Sequence, residues 1–169
     1  MRKFGLELHP EKTRLIEFGR YAAERRKKRG EKKPETFNFL GFTHICGTNH
    51  TTGKFTVLRK TIGKRMAATL KALRAKLRQR MHTSPRETGK WLAQVVRGYF
   101  QYHAVPGNEH RLRAFRKDVL RLWLHQLRRR SQRSRWTWER FLERLAVQIP
   151  FAQIEHPYPS VRFDAKHPR

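Results

Sequence analysis

Apolar residues recur at helical spacing through the second half of this chain and in short extended runs through the first. From Thr61 onward, Ile62, Met66, Leu70, Leu73, Leu77 and Met81 follow at steps of three and four, which makes one apolar helical stripe. Ser84-Pro85-Arg86-Glu87 then predicts the start of a second helix. Ser84 caps, Pro85 takes the first helical position, and Glu87 completes a capping box. Trp91, Leu92, Val95, Val96, Tyr99 and Phe100 supply its apolar face, and Pro106-Gly107 ends it. Asn108 is placed to cap a third helix, with Leu112, Phe115, Val119, Leu122, Trp123 and Leu127 facing inward. Thr137 caps a short fourth helix bearing Trp138, Phe141, Leu142, Leu145 and Ile149, and Pro150 stops it. The tail from Phe151 holds Pro157, Pro159 and Pro168 and is expected to lie extended.

The first sixty residues have a different rhythm. Residues 4–18 read as a β-hairpin, with FGLEL and TRLIEF as strands and HPEK as a turn that Pro10 fixes. Residues 19–36 read as a charged loop, because the run Arg25–Arg29 has no apolar stripe and Gly30 and Pro34 break a helix. This loop is either a solvated linker or a basic arm that orders on phosphates. Residues 37–46 and 54–60 read as two further strands around a turn-rich GTNHTTG, and Gly41 inside the first suggests a bulge or a close backbone approach. The expected fold class is α+β: a small β unit over residues 1–60, helices over 61–150 and a tail over 151–169. Two hairpins are marginal alone, so the β unit reads as the end of a larger sheet.

Charge narrows the function. The chain of 169 residues carries 40 Lys and Arg against 13 acids, a formal net charge of +27. No acid occurs between Thr36 and Arg86, although that stretch spans a hairpin and a whole helix. Ordinary surfaces mix signs, so a phosphate backbone is the expected partner. The candidate RNA-binding residues are Lys54, Arg59, Lys60, Lys64, Arg65, Lys71, Arg74 and Arg78, then Arg97 on the second helix. Arg128, Arg129 and Arg130 end the third helix, and Arg133, Arg135 and Trp136 follow in the basic segment after it. Trp136 lies outside the apolar stripes and is the best candidate to stack on an unpaired base.

Other chemistries find less support. The only aspartates are Asp118, in a helical pattern, and Asp164, in the tail, and two-metal nucleotidyl transfer needs clustered carboxylates. His44, Cys46 and His50 are zinc-type ligands without a fourth at suitable spacing. His103 and His110 straddle a helix break as structural or phosphate-facing groups. The single Cys46 excludes an internal disulfide and fits a reducing compartment. No apolar run reaches membrane-spanning length and no secretory signal opens the chain, so a soluble, cytoplasmic protein is expected.

Three segments, GLELHPEKTRLIEFGR at 5–20, PETFNFLGFTHICG at 34–47 and RGYFQYHAVPGN at 97–108, occur in an order that resembles the C-terminal half of bacterial group II intron reverse transcriptase/maturases. The resemblance covers nearly the whole chain. It implies the end of a reverse-transcriptase palm followed by a helical thumb/maturase domain that grips template–primer and binds intron RNA to assist splicing. It places Lys12 near the incoming nucleotide and makes Phe39, Leu40, Gly41 and Phe42 the primer-grip hairpin. The family's Tyr-x-Asp-Asp turn is not in this sequence. The expectation is therefore an RNA-binding portion with no polymerase activity alone and no cofactor of its own, Mg2+ belonging to a complete polymerase or to the intron RNA. Three alternatives stay open: one piece of a split polymerase active only with an upstream fragment, a generic basic nucleic-acid-binding protein, and a non-functional remnant that folds poorly.

Overall fold

The structure is a computed structural model that describes residues 5, 7, 9–49, 52–130 and 135–158. The fold is α+β. A helix α1, Ala22–Lys28, precedes a sheet of β1 Phe37–Phe39, β2 Phe42–Thr48 and β3 Phe55–Thr61. Four helices follow: α2 Gly63–Gln79, α3 Pro85–His103, α4 Glu109–Arg128 and α5 Trp138–Arg144. The sheet is antiparallel in the order β1-β2-β3, with Phe37 opposite His44 and His44 opposite Arg59.

The helices form where the apolar spacing places them. Their core centres on Leu92, Val96, Phe100, Phe115, Trp123 and Phe141, all nearly or fully buried. Tyr99 stacks on Phe115 with ring centroids 3.6 Å apart, and Trp123 meets Phe141 edge-on at 5.2 Å. Burying each such ring stabilises by about 1.5–3 kcal/mol. Ser84 Oγ accepts from the Glu87 amide and its hydroxyl donates to the Glu87 carboxylate, while Thr137 Oγ1 accepts from the Arg140 amide. Leu145 ends α5, and a 3-10 turn at Ala146–Gln148 delivers the fully buried Ile149 to the core.

The N-terminal region departs from the expected pattern. Residues 13–18 form no strand, and Pro10–Lys12 is a 3-10 turn. Leu15 is fully exposed, because among the described residues no neighbouring strand buries it. Phe4, Leu6 and Leu8 of the other expected strand lie outside the described residues. The expected loop 19–36 contains α1, pinned by ion pairs across the chain: Arg25 to Glu17 at 2.8 Å, Arg29 to both Glu17 and Glu31, and Arg26 to Glu31. A helix thus stands where a loop is expected, with Lys27, Lys28, Lys32 and Lys33 exposed. The expected strand 37–46 is split by a two-residue turn. Leu40 at φ 46° and Gly41 at φ 81° both lie in the left-handed region, the signature of a type I′ hairpin between Phe39 and Phe42.

Sheet and helices are tied by one polar network. Asn108 opens α4 but makes no side-chain cap there. Its Oδ1 accepts from the Thr61 amide at 2.9 Å, and its Nδ2 donates to Thr61 Oγ1 and to the His103 carbonyl, each at 2.8 Å. The end of β3, the end of α3 and the start of α4 therefore meet on one amide. Farther along, Arg116 donates to the Ile149 and Pro150 carbonyls and stacks on Phe151 at 4.2 Å, which fastens the C-terminal segment to α4.

Asn108→Ala should cost about 2 kcal/mol or more in urea unfolding, because it strands the buried Thr61 amide as well as losing its own bonds. Leu40→Asn should stabilise by about 0.5–1 kcal/mol, since asparagine tolerates the left-handed conformation. An unchanged midpoint for either variant would contradict these assignments.

Candidate nucleic-acid interface

Helix α2 rests on the core through Leu73 and Leu77, with Met66 and Leu70 partly buried beside them. At about 100° per residue, Lys64, Lys71, Arg74 and Arg78 fall within about 80° of arc and run about 21 Å along the helix. All four are exposed, and the exposed Ala67 and Ala75 between them keep the stripe low. Among the described residues none of the four is in an ion pair. The first turn of α2 has no acidic residue, so the positive pole of the helix adds to this field.

The repulsion along this stripe is uncompensated. Lys71 and Arg74 are three residues apart, Arg74 and Arg78 four, and each like-charge pair of this kind costs about 0.2–0.5 kcal/mol. A polyanion laid along the stripe removes that cost and releases its own counterions.

The other expected contacts divide. Lys54 and Lys60 are exposed on the hairpin β2–β3. Lys60 and Arg59, as consecutive strand residues, point to opposite faces of the sheet. Arg59 is half-buried, its Nε has no partner among the described residues, and burial lowers its pKa. It lines a cleft with Phe39, Leu40, Phe42, His44 and Tyr102. Arg65 lies on the flank of α2 away from the stripe, and its Nη1 would be 3.7 Å from a Cβ placed on Gly41. Phe39 and Leu40 are exposed and Phe42 is buried, and the Tyr102 hydroxyl donates to the Leu40 carbonyl at 2.8 Å. Lys12 closes the 3-10 turn, but its side chain lies outside the described part.

Several cations at the far end are occupied within the protein. Arg130 is half-buried and donates to the Thr83 carbonyl at 2.6 Å and the Arg80 carbonyl at 3.4 Å, which closes the α2–α3 connection. Arg128 Nε donates to the Trp136 carbonyl at 2.9 Å. Trp136 is half-buried against the core with Arg140 over its ring, so it offers an edge and not a free platform. Arg129 and Arg135 are exposed, as is Arg97 on α3, and Arg133 lies outside the described residues.

Behind the interface, His103 is packed between Phe42, Tyr99 and Tyr102 at 5.2, 4.2 and 4.8 Å. Its Nδ1 is 3.3 Å from Thr61 Oγ1. Asn108 already donates to that hydroxyl, so the hydroxyl proton is free for a neutral imidazole Nδ1. Burial, and then the nearby Arg65 charge, hold the His103 pKa below its ordinary value. Two of the three zinc-type residues are engaged elsewhere. His44 stacks on Phe37 at 4.8 Å, Cys46 exchanges contacts with the Gly19 backbone, and His50 lies outside the described residues. Among the described residues no group of three metal-ligating side chains is assembled, and no helix is long and apolar enough to cross a membrane.

No protein-family model, curated protein or solved structure matches the chain.

Arg74→Glu should move stability and binding in opposite directions. It turns two repulsive pairs into attractive ones, so the free protein gains about 1 kcal/mol, while affinity for RNA drops about tenfold at moderate salt. Loss of both together would show that the stripe is structural. Stability should also depend on His103. The unfolded state takes up a proton below about pH 6.5 while the folded state does not, so stability is full above that pH and falls as pH is lowered toward the folded pKa. Urea midpoints of the wild type and His103→Gln, compared at pH 7.5 and 5.5, check this, and an equal fall in both would rule the residue out.

Proposed function

We propose that this chain binds structured RNA in the way its sequence resemblance implies, as the thumb/maturase portion of a group II intron reverse transcriptase acting in the cytoplasm. The observation that carries the reading is the unpaired cationic stripe of α2, which keeps like charges in register on a helix that the core holds firmly. The mechanism is binding. The stripe neutralises phosphates, and preference for the active intron fold shifts the RNA's equilibrium toward splicing. The catalytic metal chemistry belongs to the RNA, or to a complete polymerase in which the hairpin at Phe39–Phe42 meets a primer end on template–primer.

The test is a competition titration of the purified chain against labelled group II intron RNA, with excess unrelated structured RNA and duplex DNA present. Binding to intron RNA should survive the competitors. With four stripe cations engaged, raising salt from 50 to 200 mM should weaken it about 10²-fold. If every competitor displaces the intron RNA equally, the chain is a generic cationic binder and the maturase reading fails.

A further inference from the structure

The bundle has a second cationic groove that shares no residue with the α2 stripe. Arg86, Lys90 and Arg97 lie on α3 within about 40° of arc at about 100° per residue, over about 16 Å of helix. All three are exposed, and none is in an ion pair among the described residues. With Gln94 and Gln148 they line a groove of about 520 Å³ whose one apolar member is Ala93. Arg86 continues it toward Arg144 and the edge of Trp136.

The two surfaces lie on nearly opposite sides of α4. Asp118, Arg121, Leu122 and His125 of α4 form one wall of the groove beside Lys71 and Arg74. The α3 side is marked by Trp123, because a Cβ on Gly89 would lie 2.8 Å from its ring and 2.5 Å from Gln148. Around α4, Trp123 and the first set of residues are about 150° apart. A single short strand lying along the α2 stripe does not reach the α3 groove.

Charge and shape favour RNA over an acidic protein in that groove. Protein interfaces rest on anchors buried in apolar pockets, and among the described residues this groove offers Ala93, with Trp136 beyond Arg86 presenting an edge. Arg, Lys and Gln side chains instead present donors to phosphate oxygens and ribose hydroxyls.

We propose that α3 carries a second phosphodiester-binding groove, so that one molecule holds two RNA segments at once on opposite sides of α4. This rests on the RNA-binding reading and adds bivalence to it. Holding two segments on one molecule raises their effective concentration for each other.

The experiment uses the full chain and two short, non-complementary RNA oligonucleotides with donor and acceptor dyes. Native mass spectrometry gives the stoichiometry and energy transfer reports bridging. The wild type should bind two strands and bridge them. Arg86→Gln/Lys90→Gln/Arg97→Gln and, separately, Lys64→Gln/Lys71→Gln/Arg74→Gln/Arg78→Gln should each bind one strand, without bridging and with unchanged circular dichroism. The α3 variant should also lower the salt slope by about 2. The proposal is overturned if the α3 variant still holds two strands, if the α2 variant holds none, or if poly-glutamate empties the α3 groove while RNA does not compete for it. Failure of the underlying reading has a different signature, in which the wild type binds no RNA.

Discussion

The side-chain amide of Asn108 sets the geometry on which the rest depends. It is nearly fully buried and spends both ends on tertiary partners: Thr61 at the end of the sheet and His103 at the end of α3. Helix α2 begins two residues after Thr61, so the direction in which α2 leaves the sheet is tied to this amide. The cationic stripe inherits that direction. The His103 ring, held against Phe42 and Tyr102, carries the same constraint to the hairpin turn at Leu40 and Gly41. A hydrophobic contact would bury as much area at this junction. It would not specify one orientation, because apolar burial is non-directional whereas three hydrogen bonds on one amide are not.

The parts legible in the sequence are those where local pattern and tertiary packing agree. Leu73 and Leu77, Val96 and Phe100, and Phe115 and Trp123 repeat at helical spacing and are buried as that spacing requires. The caps at Ser84 and Thr137 are local and read equally well. Misreadings cluster where a distant residue decides. Helix α1 looks like a charged loop because its support is ion pairing to Glu17 and Glu31 beyond its own ends. The turn inside residues 37–46 is hidden from the apolar pattern, though the resemblance makes Phe39–Phe42 a hairpin, because an apolar Leu40 occupies a left-handed position usually held by Asn or Gly. Asn108 looks like a cap because composition cannot say that its amide is used across the fold.

The cationic residues obey the same division. A run of arginines after the third helix suggests one binding patch, yet Arg130 and Arg128 donate to backbone carbonyls of neighbouring segments. Arg116, which charge alone gives no reason to single out, fastens the C-terminal segment instead. The α2 stripe is readable because exposure follows directly from helical phase: residues about 120° from Leu73 and Leu77 have nothing to pack on. Arginine number is therefore a poor guide to which cations are left without a partner inside the protein, and helical phase is a better one.

Acid placement separates the two kinds of surface. Glu17, Glu31 and Glu35 pair with Arg25, Arg26, Arg29 and Arg14, so three of the six acids before the sheet sit on cations of their own region. Among the described residues the α2 stripe has no such partner, and the acid that shares its groove on the facing helix, Asp118, lies beside Arg121 at 3.6 Å. The arginines of α1 are thus paired within the fold, and the charge of the α2 stripe is left at a cost to folding. Exposed pairs contribute under about 1 kcal/mol each, so the arrangement alters the global stability little. Its larger effect is on the field, because a one-sign surface over a low-dielectric core draws a polyanion from beyond the range of any single contact.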